Sequence, residues 1–424
     1  MKNSRSLFDC VFLFCFAAFA FGQTPSEWPI LNNINHTGFS ATMVLRPPLK
    51  VKWAVSVPGS FKAGPVIAES CLVAQSRDGY LFCYNANTGE IKWRYFVQRM
   101  AAHSVGMTET GPCIWNGRVY ASFYSAGHPG ITGMRCFDLQ TGRVLWKKDV
   151  GYTNHRIHYS PQVRQGKLFF CSNRETTGKK TETLSELIHV AQVQAWDAMT
   201  GDTLWVHNMS TKACNNTTLL VVGDTVFASV GDGQDGTPGD SGRTVALDLN
   251  GGLLWENDSM HVWWKAGNLQ YYQGSLMVLS LGGMRLLNAS DGSPVLSGGG
   301  DPYSKIFPIM NGKYYSRSYG GFAVPYFLST GAAAPFASMY NKGASSGCSA
   351  PTAANGYVYN AFGSPNINFT VDAGRQIVAV DEAGNLAWSF HDCANHCASM
   401  SIAYDRLYLA GGTEGLIYCF ENAQ

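Results

Sequence analysis

One ten-residue stretch, Phe137-Asp138-Leu139-Gln140-Thr141-Gly142-Arg143-Val144-Leu145-Trp146, governs how this chain folds, because it recurs. Near copies occupy residues 84–93, 196–205, 247–255 and 380–388. Self-similarity at a spacing of about 20–50 residues marks a repeat architecture. Each copy carries a short acceptor residue (Asn85, Asp138, Asp197, Asp248, Asp381) seven or eight positions before a Trp. An Asp or Asn side chain there accepts backbone N–H groups of a turn, and Gly89, Gly142, Gly201, Gly252 and Gly384 are expected to supply the positive φ of a tight hairpin. The runs before the turns, such as Tyr80-Leu81-Phe82-Cys83-Tyr84 and Gln376-Ile377-Val378-Ala379-Val380, are apolar and β-prone, so they read as strands.

Counting copies sets the number of units. The tryptophans at 53, 93, 146, 205, 255 and 388 are separated by steps of 40, 53, 59, 50 and 133. The long step divides by three to about 44, a normal repeat length, so two degenerate copies are expected inside it. One is 287–296, with Leu296 in place of Trp, and the other starts at Tyr326 and leads through Gly331 to Pro335. The segment 415–422 begins an eighth copy without its last strand, and Lys50-Val51-Lys52-Trp53-Ala54-Val55 is that strand, placed at the other end of the chain. A ring sealed in this way leaves no open sheet edge. The expected fold is therefore all-β: an eight-bladed β-propeller of four-stranded antiparallel blades, with Val51–Val55 beside Leu416–Phe420.

The turn pattern resembles the pyrroloquinoline-quinone (PQQ) repeat, Ala-x-Asp-x-x-Thr-Gly-x-x-x-Trp, seen best at 195–205 and, one residue shorter in its turn, from Ala246. The lead-in Glu27-Trp28-Pro29 with Gly38-Phe39-Ser40 is similar to that of many bacterial PQQ-like propellers. The resemblance covers nearly all of the chain after residue 22. It implies one of two relationships: to outer-membrane assembly propellers, which are non-catalytic, or to quinoprotein dehydrogenases, which carry PQQ over calcium. The length is closer to the first group.

Composition narrows the partners. Charged residues make up 14% of 424, with 46 glycines, as many short strands and turns require. A net charge of +2 gives no electrostatic case for nucleic acid or an anionic membrane surface. Lys2 and Arg5 before the apolar run 7–21, with Ala20-Phe21-Gly22 at its end, read as a secretory signal over 1–22, a retained anchor being the rival reading. Residues 23–48 are then a lead-in and 49–424 the propeller, expected to be exported and monomeric. Neither Cys10 nor Cys15 follows the small residue that a lipoprotein signal requires.

There are 12 cysteines, two of them within 1–22. Cys83, Cys136 and Cys419 occupy matching places and read as small core residues. Cys71 and Cys83 flank one hairpin and are candidates for a cross-strand disulfide. The cluster His391-Asp392-Cys393-Ala394-Asn395-His396-Cys397 has zinc-like donors packed too closely for one tetrahedral ion. A disulfide is the stronger reading there, either Cys393 with Cys397 or one of them with Cys348.

In such a ring the Asp–Gly turns share one face, and the connections between second and third strands lie on the other. Four of those connections are lengthened, at 124–133, 173–189, 231–242 and 362–374. Variable loops on one face of a rigid scaffold commonly carry function. The second insertion mixes Arg174, Glu175, Lys179, Lys180, Glu182 and Glu186 and suits a protein partner. The third is acidic but departs from the spacing of an EF-hand loop.

By the dehydrogenase resemblance, the central funnel would hold PQQ, with calcium and an Asp base. Residues expected at the starts of the innermost strands include His158, Asn216, Trp264 and Lys305, with Glu109 and Asp301 the nearest carboxylates for a metal. This set is polar but poor in carboxylates. It lacks the adjacent cysteine pair of quinoprotein alcohol dehydrogenases and any Cys-x-x-Cys-His haem site. The leading expectation is a non-catalytic interaction scaffold without a cofactor. A small PQQ- and calcium-dependent dehydrogenase is the alternative, and a carbohydrate-binding module resting on Trp263, Trp264 and Tyr303 is the second alternative.

Overall fold

The computed structural model describes residues 27–30, 33, 36–59, 61, 63–76, 78–96, 111–124, 131–152, 156–175, 189–210, 217–230, 243–259, 269–280, 283–300, 307–317, 323–336, 351–362, 376–391, 399–411 and 415–423. Among these, every regular element is a strand, and the strands form eight separate sheets. The first blade comprises Val66–Ala68, Cys71–Gln75, Tyr80–Asn85 and Ile91–Phe96. The second comprises Cys113–Trp115, Arg118–Tyr124, Ile131–Asp138 and Val144–Tyr152. Arg156–Arg164, Lys167–Glu175, His189–Asp197 and Thr203–Ser210 make the third, and Thr217–Val222, Thr225–Val230, Arg243–Asp248 and Leu253–Asn257 the fourth. The fifth is built from Leu269–Tyr272, Ser275–Ser280, Gly283–Asn288 and Pro294–Gly298. The seventh comprises Thr352–Ala354, Tyr357–Phe362, Gln376–Asp381 and Leu386–His391.

The sixth blade has three regular strands, Ile309–Met310, Lys313–Arg317 and Ala323–Phe327. A single bridge, Tyr326 to Ala333, stands where its fourth begins. Pro335 falls where blades 1–4, 7 and 8 carry Trp, and a residue without an N–H cannot extend a ladder.

The eighth blade joins Ser399–Ala403, Arg406–Gly411 and Leu416–Asn422 to the early strand Leu49–Ser56. Val51 pairs with Phe420, Trp53 with Cys419 and Val55 with Ile417, which is the closure expected from the sequence.

The repeat explains itself in the turns. Asp138 Oδ1 accepts from the Gln140 and Thr141 amides at 3.2 and 2.9 Å and from the Thr141 hydroxyl at 2.7 Å. Those contacts, the hydroxyl's first, hold the Asp138 carboxyl below its ordinary range. Gly89, Gly142, Gly201 and Gly384 have positive φ as expected, but in the shorter fourth turn the left-handed residue is Gly251 (φ 88°), not Gly252. The deleted residue moves the left-handed position back by one.

One residue bulges outward just before each Trp, so that Trp93 stands opposite Cys83, Trp146 opposite Cys136 and Trp205 opposite Ala195. Each Trp then reaches the following blade. The indole N–H groups of Trp53, Trp93, Trp146, Trp205 and Trp255 donate to the carbonyls of Ala86, Leu139, Ala198, Leu249 and Ala289 at 2.8 to 3.2 Å.

Candidate functional site

All four lengthened loops join a second to a third strand: Tyr124 to Ile131, Glu175 to His189, Val230 to Arg243 and Phe362 to Gln376. They therefore leave the face opposite the Asp–Gly turns. Most of their residues fall outside the described residues. So do the candidates Glu109, Asn216, Trp264, Asp301, Lys305, Cys348, Cys393 and Cys397. His158 lies in the innermost strand of blade 3, with its backbone opposite Cys171. In chain order Asn216 immediately precedes the innermost strand of blade 4, as Lys305 precedes that of blade 6.

The inner rim carries a feature that the sequence reading missed. The lead-in is a strap that follows the rim on the turn side and bonds to blades 1, 2, 3, 5, 6, 7 and 8. It starts at the turn of blade 1, where Glu27 Oε1 accepts the Glu69 amide at 2.8 Å. Trp28 and Ile67 exchange both backbone bonds at 2.8 Å, and the Ile114 amide donates to Pro29 O at 2.9 Å. Further on, the Ile309 amide donates to Thr37 O at 3.0 Å and the Ala353 amide to Gly38 O at 2.8 Å. Phe39–Ser40 adds a parallel strand to the inside of blade 7. Val44 N donates to Asp405 Oδ1 at 2.7 Å and Arg46 N to Asn422 Oδ1 at 2.9 Å, which ties the strap to blade 8.

His36 is the pivot. It is buried, with Nδ1 3.1 Å from Leu269 O and Nε2 2.8 Å from the Gln162 amide nitrogen. A carbonyl can only accept, so Nδ1 carries the proton and Nε2 accepts from Gln162. Gln162 also donates to Leu219 O at 3.2 Å and accepts the Val221 amide at 2.9 Å. Gln270 donates to His36 O at 2.8 Å and to Phe307 O at 2.7 Å, while its own oxygen accepts the Phe307 amide at 3.0 Å. Two glutamines and one histidine thus join blades 3, 4, 5 and 6 through the strap. The inner edges of the blades, which would otherwise present unpaired backbone groups, are satisfied by the chain itself.

Other buried polar side chains of the innermost strands are engaged in the same way. Ser160 Oγ accepts the Gly111 amide at 3.0 Å, Thr352 Oγ1 donates to Gly38 O at 2.9 Å and Ser401 Oγ to Pro65 O at 2.6 Å. These three hydroxyls face protein groups, whereas the side chains expected to meet a quinone or calcium, those of His158, Asn216, Trp264, Lys305, Glu109 and Asp301, lie outside the described residues. Among the described residues no three His, Cys, Asp or Glu side chains converge as metal ligands. No chemical step is derived through either group.

Cys71 and Cys83 stand on adjacent strands of blade 1, where Cys71 pairs with Asn85 and Val73 with Cys83, so the two thiols are diagonal neighbours and both are free. Among the described residues no helix is long and apolar enough to cross a membrane.

Comparison with known proteins agrees with this architecture. A polyvinylalcohol dehydrogenase of Pseudomonas sp. is 29% identical over 193 residues, 43% of this chain and 29% of that protein. The outer membrane protein assembly factor BamB of Burkholderia pseudomallei is 25% identical over 261 residues, 59% of this chain and 58% of that protein. The chain thus spans less than two thirds of the length of either relative.

Among solved structures, the quinohemoprotein alcohol dehydrogenase of Comamonas testosteroni superposes with a TM-score of 0.68 at 13% identity, covering 95% of this chain and 82% of that one. BamB of Moraxella catarrhalis superposes with a TM-score of 0.58 at 14% identity, covering 88% and 98%. These two likenesses show the fold. A family model described as outer membrane protein assembly factor BamB matches residues 49–182 and 134–261, together half of the chain, and this chain belongs to that family.

Proposed function

We propose that this chain is an exported, non-catalytic interaction propeller that presents its looped face to a protein partner of the cell envelope. The observation that carries the reading is how the two faces differ. On the turn side the Asp–Gly hairpins, the Trp bridges and the strap around His36 engage the polar groups in holding the ring together. The four lengthened connections leave from the other side. A scaffold rigid on one face and variable on the other is built to be read by a partner. The similarity to BamB supports assembly of outer membrane proteins as the setting.

The test is genetic and biochemical. Loss of the gene in its native host should lower the amounts of outer-membrane β-barrel proteins. The intact chain should restore them, and a chain whose 176–188 segment is replaced by a short Gly-Ser linker should not. Full restoration by that variant would remove the segment from the interface, and unchanged barrel levels in the deletion strain would sink the reading.

A second reading, a PQQ- and calcium-dependent dehydrogenase, is favoured by the 29% identity to polyvinylalcohol dehydrogenase. Titration of the purified chain with PQQ and calcium decides between them. A stoichiometric heat and alcohol oxidation would establish the second reading against the first.

A further inference from the structure

The repeat provides its own control for one corner of the molecule. In blades 2 and 8 the third strand carries a buried cysteine opposite the blade's Trp, and an arginine of the second strand stands beside it. Cys136 lies within 3.9 Å of Arg118 Nη1, and Cys419 feels the charge of Arg406. Burial pushes these thiols up, Cys136 to about 11 and Cys419 to about 12, so both are neutral.

Blade 1 differs. Arg118 is the second-strand residue that pairs with the acceptor of the turn, Asp138, and the residue so paired in blade 1, with Asn85, is Cys71. The cation arrives from elsewhere. Lys92 is the bulged residue between the pairs Cys83–Trp93 and Tyr84–Ile91, and its Nζ lies 3.1 Å from Cys71 Sγ and 2.7 Å from Gln140 Oε1. The Cys83 thiol donates to Leu139 O at 3.8 Å and is a diagonal neighbour of Cys71 across the ladder, so the Lys92 ammonium and a second thiol flank one buried sulfur. The neighbouring Cys83 thiol, and after it the Lys92 ammonium, lower the Cys71 thiol from its ordinary value, while its partner and burial push Cys83 up.

We propose that Cys71 and Cys83 form a two-thiolate seat for a soft monovalent cation of the copper(I) class, with Lys92 as its counter-charge. Thiolates select soft ions. Zinc requires four ligands, and among the described residues the oxygens within hydrogen-bonding reach of the two sulfurs are neutral, Leu139 O for Cys83 and Gln140 Oε1 for Cys71. A bis-thiolate around a monovalent ion carries one negative charge, which in a buried corner needs a partner, and Lys92 supplies it. Binding forms two sulfur–metal bonds and displaces to solvent whatever protons the two sulfurs carry. The register also favours an ion over a direct bond. Diagonal neighbours in an antiparallel ladder lie about 7–8 Å apart, at the limit of about 7 Å beyond which a disulfide needs backbone movement.

Other blades supply substitutions that the fold already accepts. Thr225 and Ser275 occupy the place of Cys71, and Ala195 and Ala246 that of Cys83. The full chain, reduced and anaerobic, is titrated with copper(I) against bicinchoninate. The intact protein should bind one equivalent more than Cys71→Ser or Cys83→Ala. Lys92→Met should keep that stoichiometry and weaken binding about tenfold to a hundredfold, the range for groups that support metal ligands.

Alkylation of the intact protein is a second readout that needs no variant: copper(I) should protect Cys71 and Cys83 while leaving Cys113 and Cys136 unchanged. Equal stoichiometry in all three proteins, or no selective protection, would overturn the proposal. So would a Cys71–Cys83 disulfide in the folded chain, since it would show the sulfurs already close enough to bond.

Discussion

The indole of Trp93 lies flat against Gly142 of the next blade, so closely that a Cβ at position 142 would stand 2.6 Å from Trp93 Cδ2. The same ring donates its N–H to Leu139 O at 2.8 Å. Equivalent close approaches, at 2.5 to 2.9 Å, join Trp53 to Gly89, Trp146 to Gly201, Trp205 to Gly251 and Trp255 to Gly292. At the seam between blades 5 and 6, where Leu296 replaces Trp, Gly331 meets the backbone of Gly298 instead. The glycine serves two purposes at once, a left-handed turn and a flat seat for the ring.

Those two purposes separate experimentally. Gly117 (φ 69°) and Gly142 (φ 70°) have the same backbone, but nothing lies within 4 Å of a Cβ built at Gly117. Gly117→Ala should cost only the left-handed penalty, about 1–2 kcal/mol. Gly142→Ala should cost about 1–3 kcal/mol more from overpacking against Trp93. Denaturant midpoints of the two variants measure the difference, and equal losses would remove the Trp–Gly contact as a source of stability.

Asp138 gives a pH signature. Its folded carboxyl is held below the ordinary range, so the stability it adds is present above its unfolded pKa and is lost as pH falls through the folded value. Because the group is exposed, the effect is small. Asp138→Asn, the residue type already present at Asn85 and Asn288, should change stability at neutral pH by less than about 0.5 kcal/mol and flatten the loss of stability in acid. Asp138→Ala, which removes the acceptor, should cost about 1 kcal/mol at neutral pH. Thermal melts between neutral and acid pH distinguish the three proteins.

The strap predicts a coupled pair. His36→Ala leaves the Gln162 amide and Leu269 O without this partner inside the ring, an expected loss of about 2–3 kcal/mol. Gln162→Ala removes the other half. In the double variant the losses should fall short of their sum, because both report one network. Strict additivity in urea unfolding would show the two residues to be independent.

Closure is testable at Trp53, which packs on Gly89 and Tyr408 and donates to Ala86 O. Trp53→Ala should cost about 3–5 kcal/mol and speed proteolysis near both chain ends. Lys52→Ala, one residue away, breaks only a partly exposed pair with Glu421 at 2.8 Å and should cost less than about 1 kcal/mol.

Blade count, closure and the face of the lengthened loops were readable in the sequence because each is written locally. An acceptor, a glycine and a Trp within about ten residues fix a hairpin and its reach to the next one. The shift of the left-handed turn from Gly252 to Gly251 was missed because a one-residue deletion can be absorbed at either glycine, and the choice falls to the contacts of Trp205 and Asp248. The lead-in was legible as a segment, but its course along the inner rim gave no signal. His36 has no periodic neighbours, and its carbonyl partner Leu269 is 233 residues away.

The amino-acid sequence by itself determined a ring of eight sheets sealed by its own beginning, since period-two strands and Asp–Gly–Trp hairpins are short-range properties. Only the tertiary structure decided that the lead-in becomes a strap along the inner rim and that Lys92 hangs over a pair of thiols. Both depend on which inner edges and bulged residues meet through space. That adjacency exists only once the ring has closed and brought distant segments into one low-dielectric interior, where buried hydrogen-bonding groups must find partners.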